Sequence, residues 1–475
     1  MKVTLRGGLT LAGCLAVTVT NFLVASMWVY LTLFTVKYIF GEGPMRLCYR
    51  LSAAYHNFLQ RAYFSWVGGL LEFGLGTRVA YTIVDDEGQE HLEQHYTTAI
   101  RSEDGRAEKY VDLDKFLRPP STPGRAKIII MNHHCRLDWL YMLLFFARTR
   151  GMVQQVRFVL KGELRQLPVL GWTMEMFRYL FLSRSWENDA KYIEGMVQFF
   201  HDTKDTPVVF IFPEGTDLSP SNVERSQAYA AKAGLPKFHH VLNPRTTGLI
   251  AVVKMLGGPE KVEEVLDFTI GYTYHAPGER PNEPSLINGH HPKKVHLLLR
   301  RYVLEGTEAA ARANPASVVP ADEAKMAAWT HERFAEKEQL LSRFYVSNPV
   351  GFDAADVKAV LSTQLGLSCY DSDEEQVRHP HRSQWRRYYQ QVGPFGVVLV
   401  PLYWLVPVTY FVLCTRWWLS VLWTVAVLFT FTKGIKAVGG LQRALLLSKV
   451  APEKTAMQRL RQWLEIRQTK DKKED

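Results

Sequence analysis

His133 and Asp138, five residues apart, are the pair in this chain best suited to moving a proton. An imidazole oriented by a carboxylate holds one tautomer, takes a proton on its other nitrogen and tolerates the charge that results. On one regular helix, five residues turn through about 500°, which would leave the two side chains about 140° apart. They can meet only if His133 sits in a turn and Asp138 opens the helix that follows. No Gly-x-Ser-x-Gly elbow is present, and Cys135 is poorly placed to serve His133 as a nucleophile. The economical chemistry is a general base activating a substrate hydroxyl, with no covalent intermediate on the protein. Taken alone, the pair fits equally well a solvated histidine beside an aspartate that caps a helix. A metal site built from His133, His134, Cys135 and Asp138 is disfavoured, because adjacent histidines rarely converge on one ion and no fourth ligand has a typical spacing.

Three further polar clusters each follow an apolar run, as His133 follows Ala126–Met131. Lys161-Gly162-Glu163 follows Val156–Leu160, Ser183-Arg184 follows Tyr179–Leu182, and Pro213-Glu214-Gly215-Thr216-Asp217 follows Pro207–Phe212. Open α/β sheets carry their sites at the carboxyl ends of strands, so the four clusters are expected to converge on one cleft. Gly215 permits close backbone approach, and Thr216 adds a hydroxyl. Arg184 and Lys161 would supply positive charge for a phosphate, the arginine through a bidentate fork. Taken singly, either basic residue also fits a solvated surface position.

The elements that must position these residues alternate. The Ile-rich run Ala126–Met131 reads as a strand buried on both faces, and Trp139–Ala147 and Ala190–His201 as helices. Pro207–Phe212, Phe268–Tyr274 and Val295–Tyr302 read as further strands, and Lys325–Tyr345 as an amphipathic helix. The pattern predicts an α/β domain over residues 126–345, a central, mostly parallel sheet flanked by helices. An amphipathic and polar lead-in covers 41–125 and a linker 346–387, charged over Tyr370–Ser383.

Two apolar regions flank this domain. Gly7–Val36 carries no formal charge for thirty residues; as a helix that is about 45 Å, more than a bilayer core requires. Residues 1–40 therefore predict an uncleaved transmembrane anchor. Tyr388–Thr415 and Trp417–Thr432, interrupted by Arg416, predict a membrane hairpin over 388–437, with a re-entrant pair as its rival. Basic residues flank the hairpin on both sides (Arg378, Arg382, Arg386 and Arg387 before; Lys433, Lys436 and Arg443 after), which predicts that the domain and a basic tail, 438–475, lie in the cytosol. Lys472-Lys473-Glu474-Asp475 resembles a dilysine signal of endoplasmic-reticulum membrane proteins. With 57 Lys and Arg against 47 Asp and Glu, the net charge of +10 suits anionic lipid surfaces. Five scattered cysteines argue against a disulfide scaffold or a structural zinc site.

The combination of motifs resembles the glycerophospholipid acyltransferases. His133 and Asp138 match their H-x-x-x-x-D motif, Phe212–Thr216 their F-P-E-G-T motif, and Phe181-Leu182-Ser183-Arg184 the block between them. Asn243–Gly248 and Glu336-Lys337-Glu338 with Phe344-Tyr345 are most similar to the lysocardiolipin acyltransferase branch. The resemblance implies acyl transfer from acyl-CoA, as co-substrate, to a lysophospholipid hydroxyl, with no metal, redox cofactor or nucleic-acid partner. His133 would be the general base and Asp138 its orienting group; Glu214, Gly215, Thr216 and Arg184 would bind the glycerol-phosphate part of the acceptor. Two departures stand out. Arg178 replaces the glycine usual three residues before the Phe181 block, and Asn243-Pro244-Arg245-Thr246 replaces a proline-rich apolar block, so Arg245 becomes a candidate contact for an anionic headgroup.

Overall fold

The computed structural model describes residues 4–41, 45–101, 107–183, 186–273, 280–347, 351–361, 368–372, 418, 422, 425–429, 431–433 and 440–445. The chain divides into two compact units: residues 1–15, 64–156 and 206–398 form the first, and 16–63, 157–205 and 399–475 the second. Its strands, in chain order, are β1 (Arg78–Asp85), β2 (Thr97–Arg101), β3 (Ala107–Val111), β4 (Ala126–Met131), β5 (Val156–Lys161), β6 (Leu180–Leu182), β7 (Val208–Ile211), β8 (Val262–Thr273), β9 (Lys294–Leu304), β10 (Val318–Val319) and β11 (Ser368–Asp371).

In the first unit the strands lie in the order β11-β1-β9-β8-β4-β7, with β10 beside β9. The pairings β1–β9, β9–β10, β8–β4 and β4–β7 are parallel; β8–β9 and β1–β11 are antiparallel. All six residues of β4 are buried, as a strand flanked by parallel neighbours and covered on both faces demands. Even Lys127 within it is satisfied, its ammonium 2.8 Å from Glu264 Oε2 and 2.9 Å from the Arg118 carbonyl. The helix Asp138–Phe146 buries nearly all its side chains, and the long helix Glu323–Ser342 buries Met326, Trp329, Phe334, Leu340 and Leu341. The sheet is thus mostly parallel and flanked by helices, as expected.

Strands also lie outside residues 126–345. In the lead-in β1 pairs with β9, and β2 and β3 form a separate antiparallel ribbon. The linker likewise contains the helix Ala354–Leu361 and β11, which closes the sheet against β1. β1 and β11 join the sheet through partners distant in sequence, which no local pattern marks.

The second unit holds the parallel pair β5–β6 and the helices Leu170–Met176 and Trp186–Thr203. Phe22, Met27, Trp172 and Met176 lie in its apolar core, with the Phe22 and Trp172 rings 5.0 Å apart. Asp205 is buried between Arg157 (2.9 Å) and Arg178 (3.1 Å). Arg178 sits at φ +60°, in the left-handed region that favours glycine. The ion pair, with Asn57 Oδ1 and the Ala53 carbonyl as further acceptors, gives the arginine its compensation.

The uncharged run near the amino end is divided among the helix Leu5–Thr20, a wider-wound turn Asn21–Ser26 and the helix Met27–Phe40. Among the described residues no helix is long and apolar enough to cross a membrane. The expected hairpin over 388–437 and most of the tail lie outside the described residues. Within the tail, Leu441 and Gln442 are buried, and their N–H groups donate to Glu175 at 3.0 and 3.5 Å, so this stretch is not a solvated extension.

Candidate active site

The first cluster begins where β4 ends. The Asn132 amide exchanges two hydrogen bonds with the backbone of Ile270 on β8, accepting at 2.8 Å and donating at 3.2 Å. This fixes where the chain leaves the sheet. His133 follows in the turn, and Asp138 is the first residue of the next helix, the arrangement that the five-residue spacing required. The two meet, His133 Nδ1 lying 2.8 Å from Asp138 Oδ2; the imidazole is 20% exposed and the carboxylate fully buried. With Nδ1 committed to the carboxylate, Nε2 is the nitrogen left to face a substrate. The Phe212 ring stacks on the imidazole at 4.2 Å and 24°, limiting rotation about the side chain.

Asp138 is itself held from several directions. The Cys135 N–H donates to it at 3.1–3.2 Å, the Cys135 thiol donates to Oδ1 at 3.2 Å, and the Tyr272 hydroxyl donates to the same oxygen. Burial, with Asp138 alongside, pushes the Cys135 thiol well above its usual range, so it is a hydrogen-bond donor and not a thiolate nucleophile.

The fourth cluster, after β7, is stitched to the first in both directions. Glu214 Oε1 accepts the His133 N–H at 2.8 Å, and the His133 carbonyl accepts the Leu218 N–H at 2.9 Å. Glu214 Oε2 accepts the Leu242 N–H at 3.0 Å. Only 2% exposed, this carboxylate faces into the protein, where it holds the His133 N–H. Burial pushes its pKa well above the carboxylate range, against the lowering effect of the two N–H donors. Gly215 adopts φ +71°, the left-handed region that favours glycine; a Cβ there would meet Arg245 Cδ only in ordinary contact at 3.5 Å, so the backbone conformation alone sets the preference. The Arg245 N–H donates to the Pro213 carbonyl at 2.8 Å, leaving its side chain exposed beside Gly215. Asn222 Nδ2 donates to Thr216 Oγ1 (3.0 Å) and to the Asp217 carbonyl (2.8 Å), shaping the turn's exit.

The structure therefore unites His133, Asp138, Glu214, Gly215, Thr216 and Arg245 within the first unit. Lys161 belongs to the second unit, where it is exposed and paired with Glu163 at 2.6 Å, and Arg184 lies outside the described residues. One contributor carried no signal in the motif pattern: Tyr272 lies one residue before the end of β8 with nothing to mark it. Phe212 and Glu338 stood within the quoted motifs, but nothing in the sequence showed what either would hold. Glu338 accepts the N–H groups of His239, His240 and Val241 at 2.8, 2.7 and 3.1 Å, anchoring the loop that delivers Leu242 to Glu214. Among the described residues no group of three or more acidic, histidine or cysteine side chains could hold a metal ion.

Residues 101–260 match the family model Acyltransferase, and residues 285–386 match Acyltransferase C-terminus. The chain is 35% identical over 235 residues to lysocardiolipin acyltransferase 1 of Danio rerio, covering 50% of this chain and 56% of that protein. It is 33% identical over 218 residues to a probable 1-acyl-sn-glycerol-3-phosphate acyltransferase 5 of Arabidopsis thaliana, covering 46% and 53%. To lysophosphatidylinositol acyltransferase 10 of Caenorhabditis elegans it is 31% identical over 223 residues, covering 47% and 54%. The chain thus spans a little over half the length of these curated relatives. All six residues united in the first unit fall inside the acyltransferase match, and on these matches the chain belongs to the glycerophospholipid acyltransferase family.

Proposed function

We propose that this protein transfers a fatty acyl group from acyl-CoA to the free hydroxyl of a lysophospholipid. The observation that carries this reading is the 2.8 Å contact between a partly exposed His133 and a fully buried Asp138. In the proposed reaction Nε2 of His133 takes the proton of the acceptor hydroxyl as its oxygen attacks the thioester carbonyl. The imidazolium, stabilised by Asp138, then returns that proton to the departing thiolate of CoA. No acyl group rests on the protein, which accords with a buried, protonated Cys135.

The acceptor we favour is lysocardiolipin, lysophosphatidylglycerol or lysophosphatidylinositol. Arg245, exposed beside the Gly215-Thr216 turn, would meet the anionic headgroup, and Arg184 and Lys161 remain candidate phosphate contacts. Lysophosphatidic acid is the second acceptor, favoured by the relatives named for acylglycerol-phosphate acylation. The reaction would take place at the endoplasmic-reticulum membrane with the catalytic unit facing the cytosol, and contact sites with mitochondria fit the same reading. Leu5, Leu9 and Leu15 are 80%, 64% and 63% exposed on the amino-terminal helix, which supports a bilayer contact for the expected anchor.

The test is acyl transfer from labelled oleoyl-CoA to a panel of lysophospholipids by the full chain in nanodiscs, beside His133→Ala. Selective product that vanishes in the variant is expected. A panel without product from folded protein would leave a catalytically silent membrane scaffold as the better description.

A further inference from the structure

We infer that Tyr272 is a positioning residue for the His133–Asp138 pair, acting through its hydrogen bond to the Asp138 carboxylate. The inference rests on the general-base reading given under Proposed function. Tyr272 stands near the end of β8, two residues beyond Ile270, whose backbone receives Asn132. The same strand thus fixes both ends of the catalytic turn: Ile270 sets where it begins, and the Tyr272 hydroxyl reaches the side chain that ends it. Tyr272 is fully buried, its N–H donates to the Tyr345 hydroxyl at 3.1 Å, and its ring packs on Tyr141 at 5.3 Å. Its hydroxyl therefore has one orientation and one acceptor.

The physical consequence concerns Asp138 Oδ1. The carboxylate offers Oδ2 to His133 and Oδ1 to the hydroxyl of Tyr272 and the thiol of Cys135. A phenol donating to Oδ1 draws charge towards that oxygen and locks the carboxylate plane, so Oδ2 meets Nδ1 in one geometry. Without it only the Cys135 donors remain on Oδ1, the carboxylate plane is less firmly fixed, and its charge acts more strongly on the imidazole. The other titratable groups facing the pair are Cys135 from the turn, Tyr141 from the following helix, Glu214 from the β7 turn, and Tyr345 from the extension of the long helix. Among the hydroxyls of Tyr141, Tyr272 and Tyr345, only that of Tyr272 hydrogen-bonds Asp138.

Tyr272→Phe keeps the ring and removes this donor. In acyl-transfer assays of the full chain in nanodiscs, we expect kcat to fall about tenfold, the loss of one charge-assisted hydrogen bond. The acceptor KM should change by less than about twofold, and the acid limb of the kcat profile should move to higher pH. Tyr141→Phe, which keeps the ring packed on Tyr272 and removes a hydroxyl that does not hydrogen-bond Asp138, serves as the structural control and should leave the acid limb in place. An unchanged kcat and acid limb in folded Tyr272→Phe would overturn the inference. If Tyr272→Phe does not fold, 3-fluorotyrosine at position 272 keeps the shape and donates more strongly. It should then move the acid limb to lower pH, and an unmoved limb would equally overturn the inference. Activity surviving in His133→Ala would defeat the general-base reading itself, a result distinguishable from a silent Tyr272→Phe beside an inactive His133→Ala.

Discussion

Glu214→Gln tests whether this carboxylate binds the acceptor or builds the site. Its two oxygens accept the N–H groups of His133 and Leu242 at 2.8 and 3.0 Å in a fully buried position. Glutamine keeps one oxygen acceptor and turns an NH₂ group towards the other N–H, leaving one buried donor unsatisfied. A buried donor without a partner costs about 1–3 kcal/mol, so folding stability should fall by that amount. His133 carries one of the two N–H groups, so its backbone should shift in the variant. Displacements of the order of 1 Å can reduce rate about a hundredfold, so kcat is expected to fall about 10–100-fold while the acceptor KM stays within about twofold. Glu214→Ala removes both acceptors and should cost roughly twice as much stability. Urea unfolding followed by tryptophan fluorescence, with steady-state kinetics in nanodiscs, reads both effects. A Gln variant of wild-type stability with a strongly raised acceptor KM would refute this reasoning and return Glu214 to the substrate.

Two further predictions concern charged groups. Burial alone would raise the Asp205 carboxyl, but Arg157 and Arg178 outweigh it and hold the pKa at about 2, below the ordinary 3.8. A depressed carboxyl stabilises the fold above its ordinary pKa, so on the order of 2 kcal/mol should be intact above pH 4 and lost as pH falls from 3.8 towards 2. Asp205→Ala strands two buried guanidinium groups and should cost about 3–5 kcal/mol, whereas Arg178→Gly keeps the Arg157–Asp205 pair and relieves the φ +60° backbone. Equal losses for the two in urea melts would remove this explanation of Arg178. Arg245→Gln should raise the KM for anionic lysophospholipids about tenfold with little change in stability, its side chain being exposed; unchanged KM for every anionic acceptor would dismiss it as a headgroup contact.

What the sequence by itself determined was the periodicity of the central elements and the chemistry they carry. A continuous Ile-rich run can only be buried on both faces, and β4 is. A five-residue gap between His133 and Asp138 admits a meeting only across a turn into a helix, and the structure has that turn. These features are local, set by backbone geometry over a few residues. Other features depend on partners far along the chain. β1 and β11 are sheet because they pair with each other across nearly 290 residues, which no local pattern records. Glu214, placed by its motif among acceptor ligands, turns inward because His133 and Leu242 bring N–H groups that would otherwise be buried without a partner. Tyr272 joins Asp138 only through the register of β4 against β8, in which Met131 faces Phe268. Arg178, in sequence only a departure from glycine, proves to be one side of a buried ion pair at a strained backbone position. Local physics named the candidate groups; burial and hydrogen-bond satisfaction, which exist only once distant segments have packed, decided what holds each of them in place.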